Sequence, residues 1–261
     1  MLTARDPRTQ AAQLVADRLW CVCDAAADGQ ETILPSGRAQ LIFSLSETPI
    51  ELDCGDGTGR EAGAHCVLQG PSTVPRRVSR WPQRSACGIS FRPGGAGALF
   101  ADLHKTADKV VPLSQFWDID AATLTDRLRS LPTHDARLDL LEDEVARRCG
   151  DVADVRRVGL GLELMRSGAG VGEVAEQLGM PVHVFRRLFL RTAGLTPKRY
   201  LGIERFRAAI AGLDEFASLA DLASAADYSD QAHMTREVLR FASVPPGRLR
   251  ASERPYMGHV L

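Results

Sequence analysis

The sequence predicts an α+β chain in three parts: a β-rich, barrel- or sandwich-like N-terminal domain, a helical connector and an all-α C-terminal domain. Three observations predict it. Short apolar runs separated by Gly and Pro fill residues 1–98, a pattern of strands and turns. Apolar residues then recur at helical spacing up to residue 150. Beyond 151 a helical pattern repeats itself, with Ala175 matched by Ala223, 48 residues on. The expected domains are 1–115, 116–150 and 151–261.

In the first part, Leu41–Leu45, Cys66–Leu68, Thr73–Val74 and Cys87–Phe91 read as strands. The turn Leu34-Pro35-Ser36-Gly37 introduces the first of them, and Asp53–Gly59 reads as a loop or hairpin tip. Gly94-Gly95-Ala96-Gly97 lacks the Lys-Ser/Thr of a phosphate loop and reads as a strand-to-helix turn. In the connector, Leu124, Leu128 and Leu131 share a helical spacing, and Asp135–Arg148 is strongly amphipathic around Leu138, Leu141 and Val145. Such a helix serves either to pack against its own domain or to pair two chains in a homodimer.

Composition excludes several classes. The chain has 261 residues, 44% apolar and 25% charged, with a formal net charge of -1. That is ordinary for a globular protein. No apolar run approaches the roughly 18 residues of a membrane span, and MLTARDPRTQ has no apolar leader core. A cytoplasmic, nucleoid-associated protein is expected, with no membrane partner. Cys21, Cys23, Cys54, Cys66, Cys87 and Cys149 form no CxxC. They read as reduced, and Cys21 and Cys23 as small buried residues of one strand face. His65, His104 and His134 are scattered, without HxH or HExxH. Hence no metal site, cofactor or catalytic residue is expected, and the chain does not read as an enzyme. Trp20, Trp81 and Trp117 read as core.

Charge is unevenly placed. Residues 151–261 hold 15 Lys+Arg and 13 Asp+Glu. Within 181–207, Arg186, Arg187, Arg191, Lys198, Arg199, Arg205 and Arg207 face Glu204 alone. A local excess of this kind in a nearly neutral chain suits a polyanion.

The repeat explains the charge. Val174-Ala175 and Leu222-Ala223 each sit on a short helix before a tight turn, and Gly179 matches Asp227 in that turn. Both residue types accept a positive φ. A longer helix follows in each copy, at about 181–193 and about 229–241. Phe185 and Phe189 are four apart and face inward, as do Met234 and Val238. Each copy ends on a proline, Pro197 and Pro245. A small-residue helix, a positive-φ turn and a second helix make a helix-turn-helix unit. The segment Lys198–Gly212 reads as the joining helix, packed through Leu201, Ile203, Phe206 and Ile210, with Arg205 and Arg207 left to solvent or phosphate.

The stretch 155–250 resembles the AraC/XylS family of transcription regulators. The resemblance rests on both copies in order, on Gly194-Leu195-Thr196-Pro197, and on Tyr228-Ser229-Asp230-Gln231-Ala232-His233-Met234-Thr235-Arg236. It implies DNA contacts from His183, Arg186 and Arg187, then from Gln231, Ala232, His233 and Arg236. Arg191 and Lys198 read as phosphate contacts. The chain departs from the family pattern at Pro181, Met234, Val238 and Ser243, which suggests softer packing in the second copy. Ile33–Phe43 and Gly88–Ala96 resemble a sensing-domain subgroup of the same family.

The resemblance implies a sequence-specific regulator bound to double-stranded DNA. Its N-terminal domain would sense a small-molecule effector, and RNA polymerase would be a partner of an activator. Alternatives are a regulator controlled by protein contacts alone, and an enzyme domain fused to a DNA-binding module.

Overall fold

The computed structural model describes residues 2–23, 29–52, 63–79, 85–252 and 259–260. In chain order the first elements are β1 (Leu2–Arg5), α1 (Gln10–Val15), β2 (Ala16–Cys23), β3 (Gln30–Ile33), β4 (Gln40–Ser44), β5 (Cys66–Gln69), β6 (Arg76–Ser79), β7 (Ser85–Phe91) and β8 (Val110–Pro112). Helices follow: α2 (Ser114–Ser130), α3 (His134–Arg148), α4 (Ala153–Arg166), α5 (Val171–Gln177), α6 (Val182–Ala193), α7 (Pro197–Ala211), α8 (Leu219–Ala225), α9 (Gln231–Ala242) and α10 (Pro246–Arg250). The short β9 (His259–Val260) comes last.

The chain divides into two compact units. One holds residues 1–27, 38–71 and 81–197, and the other holds 28–37, 72–80 and 198–261. The first helix-turn-helix unit therefore belongs with the N-terminal sheet, and the second belongs to the other unit.

In the first unit six antiparallel strands run in the order β1-β2-β7-β4-β5-β8. The sheet ends at β1 and β8, so the expected β-rich domain is an open sheet rather than a closed barrel. β2 meets β7 with Leu19 opposite Ile89 and Cys21 opposite Cys87. One face buries Leu19, Leu41, Phe43, Ile89 and Phe91. Onto this core pack Trp117, Leu124 and Leu128 of α2 and Leu138, Leu141 and Val145 of α3. The connector leucines are thus spent inside their own unit. Phe100 stacks on Trp117 at 5.5 Å, and the Arg148 guanidinium lies 4.3 Å over the same ring.

Glu142 fastens α3 to the N-terminal segment. It is 3% exposed and accepts hydrogen bonds from the Arg5 guanidinium at 2.6 Å and from the Arg8 and Thr9 amides at 2.6 and 2.5 Å. Burial pushes its carboxyl up. The Thr9 amide, the Arg5 guanidinium and the Arg8 amide outweigh that and hold it below the usual range.

The expected turn at Gly94–Gly97 is a 3-10 turn, Gly95–Ala98, and its smallness has a use. A Cβ on Gly97 would stand 2.9 Å from Thr192 Cα and 2.9 Å from its carbonyl oxygen. Only a glycine lets this turn lie against the end of α6.

The second unit carries a three-stranded antiparallel sheet, β6-β3-β9, with α7 to α10. Thr32 pairs with Arg77 on one side and with Val260 on the other. Arg199 of α7 donates to Thr73 Oγ1 at 2.6 Å in this unit. Thr73–Val74 is not itself a strand: the ladder begins at Arg76, after Pro75, whose missing N–H cannot enter it. Among the described cysteines, Cys21, Cys66 and Cys87 are buried, and none of the five is in a disulfide. Cys23, expected to be buried, is exposed because it ends its strand. The hairpin tip expected at Asp53–Gly59, like Cys54 and Trp81, lies outside the described residues.

Candidate nucleic-acid interface

The first unit's helix-turn-helix begins at α5. Glu173 reaches back to accept from the Gly170 amide at 2.8 Å, closing the helix start. Ala175 is fully buried. Gly179 takes φ 65°, and the next amide, Met180, bonds back to the Ala175 carbonyl at 3.0 Å. This is a left-handed closure of a helix C-terminus. Pro181 then stands at the start of α6 with extended backbone, φ -61° and ψ 145°, so its lack of an N–H costs the helix nothing. Gly194 ends α6 at φ 80°.

The second copy repeats the arrangement with different residues. Ser218 caps α8 by accepting from the Ala220 and Asp221 amides. Ala223 is 1% exposed. Asp227 takes φ 58°, and the Tyr228 amide bonds back to the Ala223 carbonyl at 2.9 Å. Asp230 caps α9 by accepting from the His233 amide at 2.7 Å. That bond holds the Asp230 carboxyl below the usual carboxylate range. Ser243 closes α9 at φ 60°, where the first copy uses Gly194. Gly179 and Asp227 thus do the same conformational work, as their matched positions in the repeat require.

Both second helices turn an apolar face inward. Phe185 and Phe189 are fully buried, edge to face at 6.0 Å. The Phe185 ring lies where a Cβ on Gly161 of α4 would come within 2.8 Å. In the second copy Met234 and Val238 are as deeply buried, joined by Phe241, which meets Phe206 of α7 at 5.2 Å. Softer packing there, expected from Met234 and Val238 alone, is made good by this second aromatic pair.

The opposite faces are exposed. On α6 these are His183, Arg186, Arg187 and Arg191; on α9 they are Gln231, Ala232 and Arg236. Lys198, at the start of α7, is exposed too. Arg191 pairs with Asp154 of α4 at 2.7 Å while remaining half exposed. His233 is only partly exposed. Its Nδ1 lies 3.1 Å from Ser229 Oγ, and its ring meets the Tyr228 ring edge-on at 5.2 Å.

Arg205, expected at solvent or phosphate, instead pairs with Glu237 of α9 at 3.2 Å and lies 5.6 Å over the Tyr228 ring. Burial, and after it the Glu237 carboxylate, pushes the Tyr228 hydroxyl up. Arg205 is therefore a brace between α7 and α9. Arg199 is likewise engaged, with Thr73. Sequence spacing had no means to show either partner, since both lie far away along the chain. Four exposed positions on these helices escaped the sequence reading: Val182 and Val184 on α6, and Leu239 and Arg240 on α9. Arg240 follows Arg236 by four residues, so helical spacing alone marks it.

The family described as "Helix-turn-helix domain" matches residues 174–252, the span that contains both turns and both exposed faces. This segment is similar to a helix-turn-helix domain. No curated protein matches the chain. Three solved structures to which it is similar are of ToxT from Vibrio cholerae. ToxT of strain SCE256 with unsaturated fatty acid bound is 7% identical, over 90% of this chain and 94% of that one, with a TM-score of 0.47. ToxT of O395 is 9% identical over 96% and 97%, at 0.46. ToxT of O395 bound to (E)-4-(8-methylnaphthalen-1-yl)but-3-enoic acid is 9% identical over 96% and 98%, at 0.47. Likeness this distant carries no functional argument.

The helix-turn-helix match supports DNA as a partner, and the exposed arginines suit it. Guanidinium pairs bidentately with guanine O6 and N7 or with phosphate. No group of metal-ligating residues occurs among the described residues, and none of their helices is long and apolar enough to cross a membrane.

Proposed function

We propose that the chain is a sequence-specific transcription regulator that reads two successive major grooves, one with α6 and one with α9. The observation that carries this is the repeated turn: Gly179 and Asp227 take the same left-handed backbone, and each sets the following helix with its polar face outward. His183, Arg186 and Arg187 are the base-reading side chains of the first copy, and Gln231, His233 and Arg236 those of the second. His233, braced by Ser229 and Tyr228, approaches DNA in one fixed orientation. Arg191 and Lys198 hold phosphates.

In this reading the N-terminal sheet domain is the sensing part, and a small-molecule effector is its signal. Support comes from the close seat of α6 on the 95–98 turn, which joins that domain to the first reading helix. A homodimer formed through residues 116–150 would have to use exposed residues of α2 and α3, because Leu124, Leu128, Leu138 and Leu141 are already buried. RNA polymerase is the further partner if the regulator activates.

The test is fluorescence anisotropy of the full chain on DNA chosen by selection from random sequence, at fixed salt. Tight binding to the selected site, with at least about a thousandfold preference over random duplex, is expected of a specific reader. Equal affinity for both would refute it.

A further inference from the structure

Helix α6 begins with an apolar edge in a basic setting. Its first three residues, Val182, His183 and Val184, are all exposed. Each valine is 37% exposed. The two are two residues apart, so they do not face each other and lie on opposite flanks of His183. Val184 shares its flank with Arg187, three residues on, and with Arg191, seven on. Val182 shares the other flank with Arg186, four on. Phe185, Leu188 and Phe189 fill the inward face, so neither valine belongs to the core. Helix formation does not call for them either, because valine holds a helix less well than alanine, leucine or arginine. The second copy has polar residues at the matching places, Gln231 and His233.

We propose that Val184 reads the C5-methyl group of a thymine within two base pairs of the base that Arg187 reads. The inference rests on the DNA-binding reading above and assigns one more side chain of that site to a chemical group. In the major groove, thymine presents a methyl group beside its O4 acceptor, and no other base does. A guanidinium recognises acceptors and gains nothing from that methyl. A valine side chain has two methyl groups and no donor, so it covers an apolar surface and keeps water from it.

Position and charge agree with this role. The N-terminal residues of a recognition helix are those that reach base edges, and Val184 stands in the first turn of α6. Side chains three apart on a helix have Cβ atoms about 5–6 Å apart, and successive bases of a strand rise about 3.4 Å. Val184 and Arg187 therefore span neighbouring base pairs. The arginines around Val184 suit the groove of a polyanion better than a neutral apolar partner. Leu239, the exposed apolar residue of α9, stands in the third turn of its helix, away from the end that reaches base edges.

The experiment uses the full chain and a duplex selected from random DNA. Each thymine in the half-site whose preference Arg187→Ala relaxes is replaced singly by deoxyuridine, which keeps O4 and the pairing and lacks only the methyl. Anisotropy at fixed salt should show a loss of about fourfold at one thymine or more, the effect of uncovering one methyl group. Val184→Ala removes both γ-methyl groups at an exposed position and puts a better helix former there, so the fold is kept. This variant should bind the thymine and deoxyuridine duplexes alike at that position. Val182→Ala, the same change on the opposite flank, should keep the wild-type difference there. Deoxyuridine in the other half-site should act equally on wild type and Val184→Ala. A half-site without a preferred thymine overturns the proposal, as does one in which no deoxyuridine weakens wild-type binding. So does a methyl dependence that survives Val184→Ala, or one that Val182→Ala abolishes at the same position. A chain that selects no site refutes the DNA-binding reading as well, whereas specific binding without the Val184-dependent methyl effect refutes this assignment alone.

Discussion

Arg187 and Arg236 occupy equivalent places, each two residues after the first inward side chain of its reading helix, Phe185 or Met234. Their surroundings differ. Arg187 sits among Arg186, Arg191 and His183, whereas Arg236 neighbours Glu237 and lies on a helix capped by Asp230. A bidentate arginine contact contributes about 1–3 kcal/mol of base discrimination. Arg187→Ala is therefore expected to weaken binding to the selected site by roughly fivefold to a hundredfold or more and to relax preference at the bases it reads. Arg236→Ala should cost less. Anisotropy titrations of both variants at matched salt check the ranking, and a larger loss from Arg236→Ala would reverse it. A second residue-scale expectation concerns the turn. Gly179 has open space around the position of a Cβ but a φ of 65°. Gly179→Ala should cost about 1–2 kcal/mol from backbone strain alone, and Gly179→Asn less, as read by urea unfolding. Equal stability of the alanine variant would mean that the turn is not held left-handed in solution.

At the scale of elements, what was legible in the sequence followed from how local its causes are. The helix-turn-helix copies were legible because a 3.6-residue period, a small residue and a positive-φ residue at a set distance all lie within one short stretch, and α6 and α9 fall within two residues of their expected starts. The strand β2 was not. Its sequence, ADRLWCVC, breaks strict alternation, and its register shifts between Ala16 and Arg18. The strand β3 owes its state to β6 and β9, partners far along the chain, so no local pattern announces it. The brace from Arg205 to Glu237 is illegible for the same reason. Element-level anchoring also has a pH signature. Glu142 ties α3 to the segment before α1, and its carboxyl is held below its unfolded value. Stability from this anchor is present above the unfolded carboxylate range and is lost as pH falls through the lower folded value. At the other end of the same sheet, His65 Nδ1 lies 2.7 Å from the Arg129 guanidinium, and burial together with that cation lowers its pKa. A lowered histidine contributes stability above its unfolded pKa, near 6.5, and that contribution falls away as pH drops below it. Unfolding midpoints measured from pH 8 to pH 5 should decline for the wild type and decline less for His65→Gln. A parallel decline would remove His65 from the account. Glu142→Ala, which strands Arg5 and two amides, should destabilise by about 3 kcal/mol at pH 7.

At the scale of the molecule, a chain with a net charge of -1 has to hold a polyanion through the local placement of its basic residues. Salt should therefore separate the roles of single side chains. Loss of a phosphate contact lowers affinity for every sequence alike and reduces the slope of log affinity against log salt by about 1. Lys198→Ala is expected to do this without altering the sequence selected, while Arg187→Ala alters the sequence. The glycine seat of α6 belongs to this scale too, because it joins the N-terminal sheet's unit to α6. Gly97→Ala would press on the Thr192 backbone and should displace the end of α6, so that DNA affinity falls further than stability does.

The central claim is that two non-equivalent helix-turn-helix copies on one chain read two successive grooves. Selection of bound duplexes from random DNA, run in parallel with wild type and Arg187→Ala, tests it most directly. The account predicts a wild-type site with two blocks of preferred bases separated by about one helical turn, 10–10.5 bp, and loss of one block alone in the variant. A site with a single block, or two blocks that both survive Arg187→Ala, would contradict it.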